Sequence, residues 1–197
     1  VTTPMWTTMS FCFSLATGAS ILISQNVGAK DNSNIDNYSA SLVKWNNVVP
    51  IFLFFFWLFA GEIVFKILGV SDNVMPYCLS YTKWYAPVFL VVGLESSFMV
   101  IMQTSNYTKP MVWYGIIRAG LNVILDYILI FGKFGFPELG IEGAAIATAI
   151  AEYAGCIFSF AFVVNNNAVY TKPKFSSIII APLKPFIQSV KLGINTA

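Results

Sequence analysis

The chain has 197 residues, of which 57% are hydrophobic, 16% aromatic and only 10% charged. A soluble domain carries about 25% charged residues and could not hide this much apolar surface in one core. The composition therefore excludes a soluble enzyme, a disordered tail and a disulfide-stapled module, and indicates a multi-pass membrane protein. The net charge of +2, from 11 basic and 9 acidic residues, offers no basic face for nucleic acid.

The rarer residues narrow the chemistry. There is no His, which removes imidazole acid–base chemistry and the His-containing metal sites. Cys12, Cys78 and Cys156 are far apart and form no CxxC, so neither a disulfide framework nor a zinc site is indicated. No Walker A loop, dinucleotide fingerprint or nucleophile elbow is present. An enzyme is not expected, no cofactor is expected, and any transport would draw on an ion gradient. The chain starts at Val1 with no basic segment ahead of its first apolar run, so it reads as an internal piece rather than a signal peptide.

Five apolar segments, 5–28, 46–70, 78–103, 111–131 and 141–166, each match the roughly 20 residues a helix needs to cross a bilayer. Residues 1–167 thus form a five-helix membrane unit, an all-α multi-pass bundle. Residues 168–186 read as a cytoplasmic amphipathic linker, and 187–197 as the start of a further span. Polar connectors separate the spans: AKDNSNIDNYSA, VSDNVMP, TSNYTKP and GKFGFPELG, the last a tight turn. The segments are too long for barrel strands and lack their alternation. Lys30, Lys44, Lys109, Lys172, Lys174, Lys184 and Lys191 lie near connectors 1, 3 and 5, against Lys66, Lys83 and Lys133 on the other side. The positive-inside rule puts connectors 1, 3 and 5 in the cytoplasm. Two glycosylation sequons, at Asn37 and Asn106, fall on that side and are discounted.

The first span carries Thr7, Ser10, Ser14 and Thr17 on one stripe, which either lines a wet cavity or bonds a neighbouring helix. The Phe-rich second span faces lipid or packs the bundle, and Glu62 precedes Lys66 at the spacing of a helical ion pair. Glu95, in the third span, either lines an inner vestibule or reaches the interface.

Acids inside spans are expensive and point to function. Arg118, Asn122 and Asp126 share one face of the fourth span at steps of four. Asp126 is roughly 8 Å from the outer end of its span, and Thr148 and Tyr85 are each roughly 10 Å deep in theirs. These groups could converge on one polar cavity that binds H⁺ or Na⁺ and meets an organic cation. The alternative is an Asp held by neighbouring polar groups for packing alone. Glu152, one turn from Thr148, is a further candidate for the same cavity. Gly143, Ala147, Ala151 and Gly155 form a small-residue ladder for close helix packing.

The stretch LNVILDYILIFGKFGFPELGIEGAAIATAIAE, with ISQNVGAKD, TSNYTKP and KLGINTA elsewhere, resembles the multidrug and toxic compound extrusion (MATE) family. The resemblance covers nearly the whole chain. It implies helices 2–6 of about twelve, forming most of the N-terminal lobe of a fold of two six-helix bundles, with the first helix and the second half absent. It implies an antiporter in the cell's cytoplasmic (inner) membrane, working by alternating access. Such a protein exports amphipathic or cationic compounds in exchange for H⁺ or Na⁺. Its partners would be those small molecules, membrane lipid and the missing C-terminal lobe of the same chain. A related lipid-linked sugar flippase, or a non-functional fragment, is the rival reading.

Carried onto this sequence, the family's fifth-helix Asn and Asp fall on Asn122 and Asp126, which could hold Na⁺. A sixth-helix Thr falls on Thr148, a fourth-helix Tyr on Tyr85, and the Asn of a possible gate loop on Asn106. Met102 and Ser105 stand where the family often has Arg and Gly.

Overall fold

A computed structural model describes residues 2–196. Val1 and Ala197, the outermost residues of the first and last units read from the sequence, lie outside the described residues. Among the described residues there is no strand. The helices are α1 (Thr2–Gly28), α2 (Asn32–Trp45), α3 (Val48–Ile67), α4 (Met75–Tyr85), α5 (Phe89–Thr104), α6 (Thr108–Ile130), α7 (Gly140–Asn165), α8 (Phe175–Ile180) and α9 (Leu183–Thr196). They supply five stretches long and apolar enough to cross a membrane: Thr3–Gly28, Asn32–Ile67, Met75–Thr104, Thr108–Ile130 and Gly140–Asn165.

Three stretches differ from the sequence reading. The first polar connector is largely helical. Asp31 caps α2 by accepting the Asn34 N–H at 3.1 Å, and Ile35, Ser39, Leu42 and Val43 then bury one stripe of that helix. Second, the third span is not one straight helix. Pro87 has no N–H to donate back into the preceding turn, and Ala86–Val88 tighten into a 3₁₀ turn between α4 and α5. The segment after α7 is also more ordered than a linker, because it contains α8, and α9 starts at Leu183.

Helix ends repeat one device. After α1, α3, α5 and α6 the chain takes a left-handed residue: Lys30, Gly69, Asn106 and Gly132. After α5 the Asn106 N–H reaches the Gln103 carbonyl at 3.0 Å and the Tyr107 N–H reaches Met102 at 2.9 Å. This is the Schellman ending, which satisfies carbonyls that a helix terminus otherwise leaves bare.

Apolar burial divides by helix face. Met5, Met9, Cys12, Trp57, Phe65, Tyr85 and Phe89 meet in one core, and on α3 the rings of Phe52, Phe55 and Phe59 point outward. A helix apolar all round suits a lipid environment. Close approaches tighten the bundle. A Cβ on Gly18 would stand 1.8 Å from the Ser189 carbonyl oxygen, so α1 and α9 touch backbone to backbone. A Cβ on Gly93 would stand 2.7 Å from the Asn46 carbonyl oxygen. There the buried Asn46 side chain donates to the Gly93 carbonyl at 2.9 Å and to Ser96 at 2.8 Å, seating the α2–α3 joint on α5.

The connectors after the first, third and fifth spans gather at one end of the bundle. Thr171, fully buried, donates to the Ile101 carbonyl at 2.9 Å and lies 2.6 Å from the Ser105 hydroxyl. Asp36 accepts the Lys174 N–H at 2.9 Å and the Ser177 hydroxyl. Lys44 donates to the Ile179 carbonyl at 2.6 Å.

Candidate functional site

The site is built on the antiparallel pair α6–α7. The small-residue ladder sets its register. A Cβ on Gly143 would stand 2.6 Å from the Leu129 carbonyl oxygen, and one on Gly155 would stand 2.7 Å from the Tyr114 ring. At Gly143 the contact is with backbone and only hydrogen fits, while at Gly155 a methyl would push the Tyr114 ring aside, so the two helices meet closely at both ends of the ladder. Residues whose numbers sum to about 270 then face each other. Polar groups spaced by four on both helices meet as rungs. Asn122 donates its amide to the Thr148 hydroxyl at 3.2 Å, and Thr148 donates to the Ala144 carbonyl at 2.9 Å. One turn away, Arg118 donates to both carboxylate oxygens of Glu152 at 2.9 and 3.0 Å.

Asp126 continues the stripe of α6 one turn beyond Asn122. Its carboxylate is half-buried, and Oδ1 is enclosed with no hydrogen-bond partner. A buried unpaired carboxylate oxygen is costly, and a proton or a small hard cation would relieve it. The neighbouring amide and hydroxyl oxygens are the hard ligands such a cation takes. Tyr81, on α4, is close enough to interact with Asp126 electrostatically.

Tyr85 does not join this group. Its ring is buried, stacked on Tyr81 with centroids 5.5 Å apart, and its hydroxyl lies 3.3 Å from the Met9 sulfur of α1. Equal depth in the membrane placed Tyr85 beside Asp126 in the sequence reading. Depth alone does not fix the neighbour: Tyr81, one turn earlier on the same face of α4, is the tyrosine that interacts with Asp126. Glu152 is likewise tied to Arg118 and is 4% exposed, so it forms a buried rung rather than a cavity wall. Asn106 has φ +62° and serves the helix ending described above, a backbone role that Asn tolerates better than most residues. The hydroxyls of Thr7, Ser10, Ser14 and Thr17 all bond carbonyls of their own helix.

Sequence reasoning missed Tyr114, which donates its hydroxyl to Glu95. It also left Glu95 between an inner vestibule and the interface. In the structure Glu95 is 1% exposed and lies inside the bundle. Its spacing from Tyr114 crosses a helix end, so no periodicity reveals the contact. Glu62 and Lys66 do pair at 2.6 Å on the exposed surface of α3.

The helical bundle and its polar rungs can be compared with known proteins. Residues 1–128 match the MatE family model. The chain belongs to the MATE family. Members of this family are transporters, not enzymes. One relative is the probable multidrug resistance protein NorM of Thermotoga maritima. It is 30% identical over 162 residues, which cover 76% of this chain and 32% of that protein. Another is the uncharacterized transporter YisQ of Bacillus subtilis, 26% identical over 93% of this chain and 40% of its own length. A MATE family multidrug resistance transporter solved in an inward-facing conformation superposes with a TM-score of 0.84 at 17% identity. The match covers 95% of this chain and 41% of that structure. A MATE crystal structure in a bent conformation gives 0.83 at 19% identity, covering 97% and 42%. The MATE chain described here therefore spans about a third to two fifths of these matched proteins, and it is a multi-pass membrane protein.

Proposed function

We propose that this chain is most of the N-terminal lobe of a secondary antiporter. The whole protein would export amphipathic or cationic compounds across the cytoplasmic membrane in exchange for H⁺ or Na⁺. The observation that carries the reading is Asp126: its Oδ1 is enclosed and unpartnered, one turn from the bonded Asn122–Thr148 rung. An acid placed so takes up a cation or a proton when no organic cation is present, and gives it up when one arrives. Asn122 and Thr148 hold the two helices in register around it. The substrate would be a small molecule with a positive or amphipathic body, and the second lobe of the same chain would close the cavity. The relatives named as multidrug resistance proteins support a small-molecule drug as the substrate.

The flippase reading finds no such support. Lipid-linked phosphates call for free cations along the spans. The one arginine of the chain, Arg118, is committed to Glu152.

The test is Asp126→Asn in the full-length protein, assayed for gradient-driven export of a fluorescent cation from everted vesicles. The variant keeps near-normal expression and loses most of the coupled export. Undiminished export would remove Asp126 from the coupling role.

A further inference from the structure

A second acid in the lobe has no place in the mechanism above. Glu95 is held by α5, 1% exposed, with Oε1 accepting the Tyr114 hydroxyl of α6 and Oε2 buried without any partner. The titratable groups that interact with it come from α4, α6 and α7, while α1, α2 and α3 also pack on α5. Glu152 and Cys156 face it from α7, Arg118 from α6 and Tyr85 from α4, all close enough to interact with it electrostatically. The local charge count is two carboxyls against one guanidinium. That guanidinium is spent on Glu152, touching both of its oxygens at 2.9 and 3.0 Å.

We propose that Glu95 is a proton-binding site inside the lobe, distinct from Asp126, with the proton carried on Oε2. A buried carboxylate whose interacting cation is already engaged by another carboxylate is strongly disfavoured in a low-dielectric interior. One O–H bond formed at Oε2, from a hydronium ion, removes the surplus charge and breaks no existing contact. Loss of that proton leaves Arg118 to be shared between two carboxylates on different helices. Release at α5 is thereby felt at the α6–α7 rung. That rung lies four residues from Asn122 and eight from Asp126 on the same face of α6. The use of this site in transport rests on the antiport reading, whereas the proton binding does not.

The experiment is infrared difference spectroscopy of the full-length protein in lipid nanodiscs, between acid and alkaline buffer, with glutamate carboxyls labelled with carbon-13. A protonated glutamate carboxyl band is expected. It disappears in Glu95→Gln, whose amide mimics the protonated acid, and it persists in Asp126→Asn. Tyr114→Phe, which takes the hydroxyl from Oε1, shifts the band, so the assignment holds even if Glu95→Gln folds poorly. The proposal is overturned if no such band exists while the protein is folded, or if it survives intact in Glu95→Gln. It is also overturned if sodium at constant pH abolishes the band, which would put a metal cation on Oε2. Full export in Asp126→Asn with the Glu95 band present would refute the coupling role alone.

Discussion

Removing Arg118 should injure the lobe far more than removing both members of its ion pair. In Arg118→Leu the Glu152 carboxylate, only 5% exposed on its side chain, loses both of its contacts. Breaking a buried pair from one side costs about 3–5 kcal/mol. Because the Arg118 side chain is 33% exposed, solvent screens part of this, and the lower end applies. A loss of about 3 kcal/mol shifts the folding equilibrium roughly 100-fold. In the double variant Arg118→Leu, Glu152→Leu no charge is stranded, and apolar replacement of a buried pair is neutral or stabilising by about 1–4 kcal/mol. The assay is unfolding of the full-length protein in mixed micelles, followed by tryptophan fluorescence. The single variant unfolds at lower denaturant, and the double variant recovers most of the loss. A double variant as unstable as the single one would refute the reasoning, since burial of an unpaired charge could not then be the cause.

Other expectations follow from close packing and backbone conformation. Gly18→Ala drives a methyl into the Ser189 carbonyl of α9, and overpacking of this kind costs about 1–3 kcal/mol. Gly28→Ala, where a Cβ meets nothing within 4 Å, is the control and leaves thermal stability unchanged or slightly raised. At Asn106, with φ +62°, Asn106→Gly is tolerated, while Asn106→Val costs about 1–2 kcal/mol because its Cβ opposes the left-handed turn. Equal thermal stability of the Gly and Val variants would show that the turn does not constrain this residue.

Much of the local organisation was legible in the residues themselves. Hydropathy marks long apolar helices because a bilayer leaves no other way to satisfy backbone hydrogen bonds. The Glu62–Lys66 pair was legible because both ends sit on one helix, where spacing alone fixes distance. So were the stripe Arg118–Asn122–Asp126 and the ladder from Gly143 to Gly155.

Contacts between helices depend on two further quantities, the rotation of each helix about its axis and the register between neighbours. Neither is written in one segment. The register of α6 on α7 is decided where Gly143 and Gly155 admit the other helix, and that match brings Asn122 to Thr148 and Arg118 to Glu152. Helix rotation sets which neighbours α4 meets: the Tyr85 hydroxyl lies at Met9, and Tyr81, one turn earlier on the same face, interacts with Asp126. Rotation likewise turns Glu95 into the bundle against Tyr114, from the far side of a helix ending. The sequence by itself determined which segments are helices that span a membrane and which polar groups share a face. Only the tertiary structure decided which of those groups are paired and which are left bare, because pairing is a property of two surfaces in contact.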